Sequence, residues 1–402
     1  MIKTELLEIV AGGEDSYTEF KREVSQRSDF AGELVAFANS NGGQIFVGVA
    51  DDGSIIGVTN PQQIEETIIN LARNNCVPPI TPMIDRVDVD SRIVLVVQVP
   101  RRIGAPHENN SGQCYIRVGS SKRLCTPHER ARMLQDASLV HFDESPVART
   151  TLANLALDTF ATYYQKIFEQ PFAEADVPLA SMLENMRFSV KDLDNIARLS
   201  VAGLLLFGSQ PQDFLYYARI SAVRWAGLEA AETIIDRQEI RGRLAQQIDQ
   251  AEAFILRNTR LSTKIVGARQ VDQLEYPRPA LREAIVNAVA HRDYSLTGAQ
   301  ILLYIFDDRI EIRSPGTLPN SVTLDNIRTH YSRPRNETIA RVLFNLGYVN
   351  TLGSGVPRMI RLLQEQTGRV PDFEVGTAQF LVRLWSRYWQ TFQRDPRKET
   401  VQ

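Results

Sequence analysis

The sequence contains few cysteines, no long apolar run and no excess of positive charge, and each shortage excludes a class of protein. The three cysteines, Cys76, Cys114 and Cys125, form an odd set without metal-ligand spacing, so we expect reduced structural thiols. No charge-free apolar stretch approaches the roughly 18 residues that indicate a membrane-spanning helix. Residues 1–11 also lack the apolar core of a signal peptide. We therefore expect a cytoplasmic protein without a membrane partner.

Length and charge set bounds on the organisation of the chain. With 402 residues, of which 43% are hydrophobic, the chain can bury large cores and should divide into two or three domains. Helical and strand patterns occur throughout, which predicts an α/β or α+β fold class. The formal net charge is −3 at pH 7, so any nucleic-acid-binding site must be a local basic patch.

The segment LREAIVNAVAHRDY at residues 281–294 has the pattern of a helix with one buried face. Its apolar residues recur at spacings of three and four, namely Leu281, Ala284, Ile285, Ala288 and Val289. Glu283 and Asn287 stand four residues apart, so both project from a neighbouring polar stripe. A carboxylate one turn before a carboxamide can position a water and hold a divalent cation beside phosphates. The alternative is the solvated edge of a core helix.

The order Glu-x-x-x-Asn-Ala resembles the N-box of the GHKL (Bergerat-type) ATP-binding fold. The HRDY that follows is similar to a subgroup, of RecG-related C-terminal type, found in bacterial transcriptional regulators. The resemblance implies a Bergerat-type α/β sandwich at residues 271–386 that binds ATP and Mg²⁺, with Glu283 as base and Asn287 as metal ligand. His291 is a further nucleotide-binding candidate, although the helix dipole alone also favours histidine near a helix C-terminus.

Two later segments belong to the same resemblance. The tripeptide SPG at residues 314–316 stands where the fold normally has an Asp-x-Gly box for the adenine amino group. Gly316 is kept but the aspartate is missing, so another nucleotide, or none, is an open alternative. The turn GYVNTLGSG at residues 347–355 would present free N–H groups to phosphate through Gly353, Ser354 and Gly355. Secondary phosphate candidates are Arg333, Arg335 and Arg358.

Residues 101–132 form a basic segment, with seven lysines and arginines against two glutamates. A strand at residues 115–118 is predicted to place Arg117 on the face opposite Ile116 and Val118. The loop GSSKR at residues 119–123 combines backbone amides, hydroxyls and cations, which suits phosphate oxygens. The alternative is a solvated loop. The candidate nucleic-acid contacts are Lys21, Arg101, Arg102, Arg117, Ser120, Lys122 and Arg123.

Three phrases resemble the Schlafen-type, Alba-like (AlbA_2) domain in order and spacing. They are EFK at residues 19–21, AFANSNGGQIFVGVADDG at residues 36–53 and YIRVGSS at residues 115–121. The resemblance covers about the first third of the chain and implies a nucleic-acid-binding α/β domain at residues 1–136. Residues 137–270 are similar to the α/β connector usually found between the two modules, and residues 387–402 read as a tail.

Some Schlafen proteins cleave RNA with three carboxylates, and Glu14, Glu19 and an acidic turn residue, Asp51 or Asp52, match that pattern. Three converging carboxylates can bind Mg²⁺ or Mn²⁺, which would activate water. The alternative is that Glu14 caps a segment and the sequence DDG is a turn.

These observations support a nucleic-acid-binding regulator with a GHKL-like nucleotide module as the leading hypothesis. The alternative is an enzyme, either a Schlafen-like metal-dependent endoribonuclease or a GHKL-type ATPase. Because GHKL modules often pair, the resemblance also implies a homodimer.

Overall fold

The computed structural model describes residues 1–24, 27–137, 139–230, 233–266, 269–318, 322–329, 333–349 and 354–393. The chain divides into two compact units, Met1–Val140 and His141–Gln402. Both units combine helices with mixed sheets, which confirms the predicted α/β (α+β) fold class. The sequence suggested divisions at residues 136 and 270, and in the structure residues 141–270 lie in the same unit as the rest of the C-terminal half.

The N-terminal unit contains four helices and eight strands among its described residues. The helices are α1 (Lys3–Gly12), α2 (Arg27–Asn39), α3 (Pro61–Asn74) and α4 (Pro127–Asp136). The strands are β1 (Thr18–Lys21), β2 (Gly43–Val47), β3 (Cys76–Val77), β4 (Met83–Val89), β5 (Arg92–Val99), β6 (Glu108–Asn109), β7 (Tyr115–Val118) and β8 (Ser121–Leu124).

Helices cover both faces of a four-stranded sheet, ordered β1-β2-β5-β4. The parallel strands β1 and β2 are joined through α2, whereas the other neighbours are antiparallel. Because successive side chains of a strand point to opposite faces, Ile45 and Val47 pack with α2 and α3, while Phe46 packs with α1. The apolar run of β5 lies inside the sheet, as its sequence predicted.

One local prediction in this unit was wrong. The segment GSSKR was predicted as a loop, but Ser121–Leu124 is a strand that pairs with Tyr115–Val118 in a hairpin, β7–β8. After β2 the chain turns back at residues 51–53 and makes the antiparallel bridge Val49–Ile55. There the turn is held by Asp52, whose side chain accepts the Ser54 N–H and hydroxyl.

The C-terminal unit is larger. Its helices are α5 (Leu157–Phe168), α6 (Leu179–Asn185), α7 (Val201–Phe207), α8 (Leu244–Asn258), α9 (Arg278–Ala290), α10 (Glu337–Leu346), α11 (Gly355–Thr367) and α12 (Trp389–Gln393). Its strands are β9 (Ser189–Lys191), β10 (Ala197–Leu199), β11 (Ile220–Trp225), β12 (Ile234–Ile240), β13 (Leu261–Val266), β14 (Arg269–Leu274), β15 (Ile301–Ile305), β16 (Arg309–Pro315), β17 (Asp372–Val375) and β18 (Gln379–Trp385).

A six-stranded sheet, ordered β12-β11-β15-β16-β18-β17, is the centre of this unit. Strands β11 and β15 are parallel and the other neighbouring strands are antiparallel. Helix α9 packs on β16 and lies between α8 and α11. One hydrophobic core includes residues of α5 and α7 as well as α9, α10 and α11, so the predicted connector and nucleotide module share their interior.

Helix α9 forms as its periodicity predicted. All five of the apolar residues expected on its inner face are buried. Pro279 stands in the first turn, where the missing N–H removes no intrahelical hydrogen bond. Helix α5 begins only at Leu157, because the Ala156 N–H bonds to the Phe207 carbonyl oxygen at 2.7 Å.

Asp143 connects the start of the C-terminal unit to α10. Its fully buried carboxylate accepts the N–H groups of Thr338 at 3.0 Å and Ile339 at 3.2 Å, at the N-terminus of that helix. Burial raises the pKa of Asp143 to about 6, although the two backbone hydrogen bonds partly offset this effect. Because this pKa exceeds the unfolded value of about 3.9, the neutral carboxyl is the form that folding favours.

We predict that Asp143→Asn removes a pH dependence from the stability of this unit. In the wild type the contribution of Asp143 is fully present below about pH 4 and is lost as the pH rises through about 6. The variant should therefore gain roughly 2–3 kcal/mol relative to the wild type between those limits. Urea denaturation at several pH values measures this difference, and the exposed Asp213→Asn is the control. Parallel pH profiles for wild type and Asp143→Asn would contradict the prediction.

Candidate functional site

Glu283 and Asn287 lie side by side on α9, as the sequence predicted. The Asn287 Nδ2 donates a hydrogen bond of 2.9 Å to the Glu283 Oε1, and both side chains are half-buried. They line a cavity of about 150 Å³ between α9, the first turn of α11 and the sheet. The polar stripe of α9, formed by Glu283 and Asn287, therefore faces this cavity rather than bulk solvent.

The N-terminus of α11 approaches the Glu283 carboxylate very closely. A Cβ atom built on Gly355 would lie only 1.7 Å from the Glu283 Oε1, so a side chain at this position requires the Glu283 carboxylate to move. Glycine thus allows a helix N-terminus, with its positive dipole end, to lie against a carboxylate. Gly355 and Ser354 both stand at the start of α11, whereas Gly353 lies outside the described residues.

The charge states around the cavity are shifted by burial. Burial raises the pKa of Glu283, and the hydrogen bond from Asn287 and the positive charge of Arg358 partly oppose this shift. Burial, together with the nearby charge of Arg335, lowers the pKa of His291 to about 4. His291 lines the cavity, and with this lowered pKa it is a neutral imidazole at pH 7 and adds no positive charge there.

The SPG tripeptide closes one side of the cavity. Its Ser314 side chain is not available to hydrogen-bond a nucleotide base. The buried Ser314 hydroxyl donates to the Ala288 carbonyl oxygen at 2.8 Å. Gly316 has a φ of +112°, and a Cβ there would meet the Asp293 Cβ at 2.7 Å. The Asp293 N–H bonds in turn to the Pro315 carbonyl oxygen at 2.8 Å. The HRDY segment therefore supports this turn from beneath.

Sequence reasoning did not find the buried members of the HRDY segment. Arg292 is 1% exposed and donates to the backbone oxygens of Asp293, Leu296 and Ala299. Its partners are main-chain atoms of a loop, which leave no residue pattern to recognise. The remaining wall of the cavity is mainly apolar and includes Ile312, Met359, Phe373, Phe380 and Val382.

A second, polar cavity of about 230 Å³ shares Glu283, Gly355 and Met359 with the first. Three arginines line it, namely Arg278, Arg282 and Arg358. Arg278 and Arg282 are paired with the buried Glu252 at 2.6 and 3.2 Å. The sequence suggested Arg358 as a phosphate contact but missed Arg278 and Arg282. Their positions, five residues and one residue before Glu283, were a usable signal.

In the N-terminal unit several predicted nucleic-acid contacts are structural instead. Arg117 is buried, and its guanidinium pairs with Glu19 at 2.8 Å and Glu33 at 3.4 Å. Lys122 bonds to Glu33 at 3.0 Å and also to Asp29. Arg117 lies on the face opposite Val118, as the alternation predicted, but the face that carries Arg117 is the buried one and Val118 is exposed.

The other candidate nucleic-acid contacts fall into two groups, residues with partners inside the fold and residues exposed to solvent. Lys21 pairs with Glu19, and the buried Arg102 donates to the Gly104 carbonyl oxygen at 2.9 Å, so both have internal partners. Arg101, Ser120 and Arg123 are exposed, and Arg123 also pairs with Glu129 at 2.6 Å. Lys21, Arg102, Arg117 and Lys122 are therefore corrected from nucleic-acid contacts to partners of the fold.

The proposed metal ligands of this unit do not form a metal site. The Glu14 Oε1 accepts the Phe20 N–H at 2.8 Å, and Glu19 is bound to Arg117 and Lys21. Burial raises the pKa of Glu14, and the negative charges of Glu19 and Asp51 add to this shift. Across the described ranges, no three His, Cys, Asp or Glu side chains are grouped so that they could hold a metal ion. Arg117 and Lys21 neutralise the charge of Glu19, as a bound metal ion would otherwise do.

Three family models match parts of the chain. "Schlafen, AlbA_2" matches residues 14–126, and "Putative ATP-dependent DNA helicase recG C-terminal" (HATPase_c_4) matches residues 298–384. A domain of unknown function (DUF8451) matches residues 131–219. The second match begins after α9, so Glu283 and Asn287 lie before it.

Solved structures that resemble the chain include one from Corynebacterium diphtheriae and one from Nitrosomonas europaea, while no curated protein matches it. The DIP2311 protein from Corynebacterium diphtheriae is 23% identical over 95% of this chain and 80% of that chain, with a TM-score of 0.47. The N-terminal domain of a RecG-related protein from Nitrosomonas europaea is 21% identical over 31% of this chain and 94% of that chain, with a TM-score of 0.23.

No helix in the described residues is long and apolar enough to cross a membrane. The family matches follow the order predicted from the motifs. They confirm a Schlafen AlbA_2 domain followed by an ATPase-like domain of the RecG C-terminal type, and this pairing indicates a nucleic-acid-related, ATP-binding protein.

Proposed function

We propose that the chain is a nucleic-acid-binding regulator whose C-terminal unit binds a nucleoside triphosphate between α9 and α11. The observation that carries this proposal is the pair of cavities that share Glu283 and Gly355, one apolar and the other lined by arginines. A nucleotide has the same two halves, an apolar base face and a charged polyphosphate. The proposed pose puts the base in the first cavity and the polyphosphate toward the second.

The base is held mainly by apolar contact in this pose. Phe373, Phe380 and Met359 line the first cavity. The Ser314 hydroxyl is already donated to the Ala288 carbonyl oxygen, and the family's adenine-binding aspartate is missing. Discrimination between purines that differ in polar groups needs a buried partner for those groups. The site should therefore distinguish ATP from GTP only weakly.

The polyphosphate meets a helix N-terminus and several cations. The start of α11 at Gly355 supplies backbone N–H groups and a positive dipole end, and Arg358 adds a charge one turn later. Asn287 gives its Nδ2 to Glu283, which leaves its Oδ1 as a neutral oxygen ligand. That donor set fits Mg²⁺, which needs only one or two protein oxygens when phosphates complete its coordination.

Hydrolysis of the nucleotide is a second candidate function. A half-buried carboxylate with a raised pKa, next to a helix N-terminus, is typical of a general base. In this role Glu283 would take a proton from the attacking water, while Mg²⁺ would neutralise charge on the phosphates.

The N-terminal unit is proposed to contact nucleic acid through the exposed part of the basic segment. Arg101 and Arg123 retain accessible positive charge, and Ser120 lies in the turn of the β7–β8 hairpin. Phosphate contacts of this kind position a protein on nucleic acid without reading its sequence. A role in regulation and a homodimeric state through the ATPase-like domain are parts of the same proposal, and light scattering of the purified chain tests the dimer.

We predict that the chain binds Mg-ATP and that Gly355→Ala weakens this binding at least tenfold. An added Cβ would collide with the Glu283 carboxylate and push it away from Asn287 and from the start of α11. Isothermal titration measures the affinity, and Gly298→Ala, whose Cβ would meet no atom within 4 Å, is the matched control. GTP should bind within about tenfold of ATP, since the Ser314 hydroxyl is already paired with the Ala288 carbonyl oxygen. Absence of binding heat with both nucleotides would refute the nucleotide half of the proposal.

For hydrolysis, we expect Glu283→Gln to abolish phosphate release while sparing nucleotide affinity. Glutamine keeps the size of the side chain but cannot accept the proton. In the wild type, release should increase with pH as Glu283 deprotonates, above its ordinary carboxyl range because burial raises its pKa. Exposed Glu184→Gln serves as the control. Equal release by Glu283→Gln and wild type would rule Glu283 out as the base.

Replacing exposed and buried arginines should separate nucleic-acid binding from stability. Arg101→Ala and Arg123→Ala should weaken oligonucleotide binding and each lower the salt slope by about one. Arg117→Ala should instead destabilise the N-terminal unit by up to about 3–5 kcal/mol, because it leaves Glu19 and Glu33 buried with only the half-buried Lys21 and Lys122 as cations. Fluorescence anisotropy with single- and double-stranded oligonucleotides and thermal melts test both effects. No binding at low salt would refute the nucleic-acid half.

A further inference from the structure

Two cysteines flank the β7–β8 hairpin. Cys114 directly precedes β7 and Cys125 directly follows β8, so the two residues continue the ladder beyond the pair Tyr115 and Leu124. The Cys125 N–H donates to the Cys114 carbonyl oxygen at 2.8 Å. Their Sγ atoms are also only 2.8 Å apart, and both are thiols. Forming a bond between these sulfurs requires only a small side-chain movement.

The two thiols are not equivalent. The hydrogen bond from Cys125 lowers the pKa of Cys114, against the effect of its burial, and the positive charges of Arg130 and Arg102 act in the same direction. The Asn39 Nδ2 also lies 3.4 Å from the Cys114 Sγ. Because thiolates are the reactive form of cysteine, Cys114 is the better nucleophile and Cys125 its partner.

The third cysteine provides an internal comparison. Cys76 is 1% exposed, and burial raises its pKa to about 12. It packs in the core formed with α2 and α3, and its Sγ lies 3.9 Å from the Ala31 carbonyl oxygen. An apolar, buried thiol of this kind is chemically inert.

We propose that Cys114 and Cys125 form an oxidation site, at which a hydroperoxide converts the two neighbouring thiols into an intramolecular disulfide. The Cys114 thiolate attacks one oxygen of hydrogen peroxide, which gives a sulfenic acid and, after uptake of a proton, one water. The Cys125 thiol then attacks the sulfenic sulfur, so that the disulfide bond forms and a second water leaves. Two thiols are oxidised by two electrons and one peroxide is reduced.

The disulfide would close the hairpin at its open end. The enclosed strands carry Arg117 and Lys122, which hold Glu19 and Glu33 of the neighbouring elements. A cross-link between positions 114 and 125 restricts the unfolded chain, which stabilises the folded unit. Oxidation therefore fixes the part of the N-terminal unit from which the exposed Arg123 projects.

The test treats the purified full-length chain with hydrogen peroxide and, separately, with a reductant. Thiols are titrated in denaturant, and the disulfide is located by peptide mass mapping. The oxidised chain should show one thiol in place of its three, with Cys114 and Cys125 joined in one peptide pair. A reductant should restore all three thiols, and the oxidised chain should melt at a higher temperature than the reduced one.

Single variants identify the residues. Cys76→Ser should still lose two thiols on oxidation, whereas Cys114→Ser and Cys125→Ser should form no intramolecular disulfide and show no rise in melting temperature. Circular dichroism of the reduced variants confirms that each is folded, and the wild-type peptide map is independent of any variant. The proposal is overturned if the wild type keeps three thiols under peroxide, or if mapping finds only cross-links between chains or over-oxidised cysteine.

Discussion

The approach of Gly355 to the Glu283 carboxylate is the contact on which the candidate nucleotide site depends. It brings the N-terminus of α11 against the polar stripe of α9, and a side chain at position 355 would displace the Glu283 carboxylate from it. The carboxylate lies at the boundary between an apolar and an arginine-lined cavity. A negative group at this boundary repels phosphates unless a cation or a proton neutralises it. Asn287 is the proposed ligand for such a cation, and the raised pKa of Glu283 favours the protonated carboxyl.

The N-terminal unit uses charge differently. Its basic segment is drawn largely into the interior, where Arg117 and Lys122 neutralise Glu19 and Glu33. Removing such charges from water is expensive, and it is tolerated here because each carboxylate has a cation within hydrogen-bonding distance. The same pairing occupies the Glu19 carboxylate with its cations. This carboxylate therefore stabilises the fold of the unit and does not contribute to a metal centre.

The sequence predicted what is locally encoded and missed what depends on distant partners. The buried face of α9 follows from a 3.6-residue period, and the position of β5 follows from its apolar run. Arg117 was taken for a nucleic-acid contact because its partner Glu19 is far away in the chain. The strand β8 was taken for a loop because SKRL is polar, and with the hairpin unrecognised the pairing of Cys114 with Cys125 could not be seen.

The shared core of the C-terminal unit also bears on how such a chain can be assembled from parts. Apolar side chains of α5 and α7 pack in the same interior as those of α9 and α10, and Asp143 reaches the first turn of α10. Cutting the chain near residue 270 would expose apolar core surface on both fragments. The boundary between the two compact units lies near residue 140 instead. We therefore expect the segment after residue 140 to fold only together with the ATPase-like domain, because the two share one core.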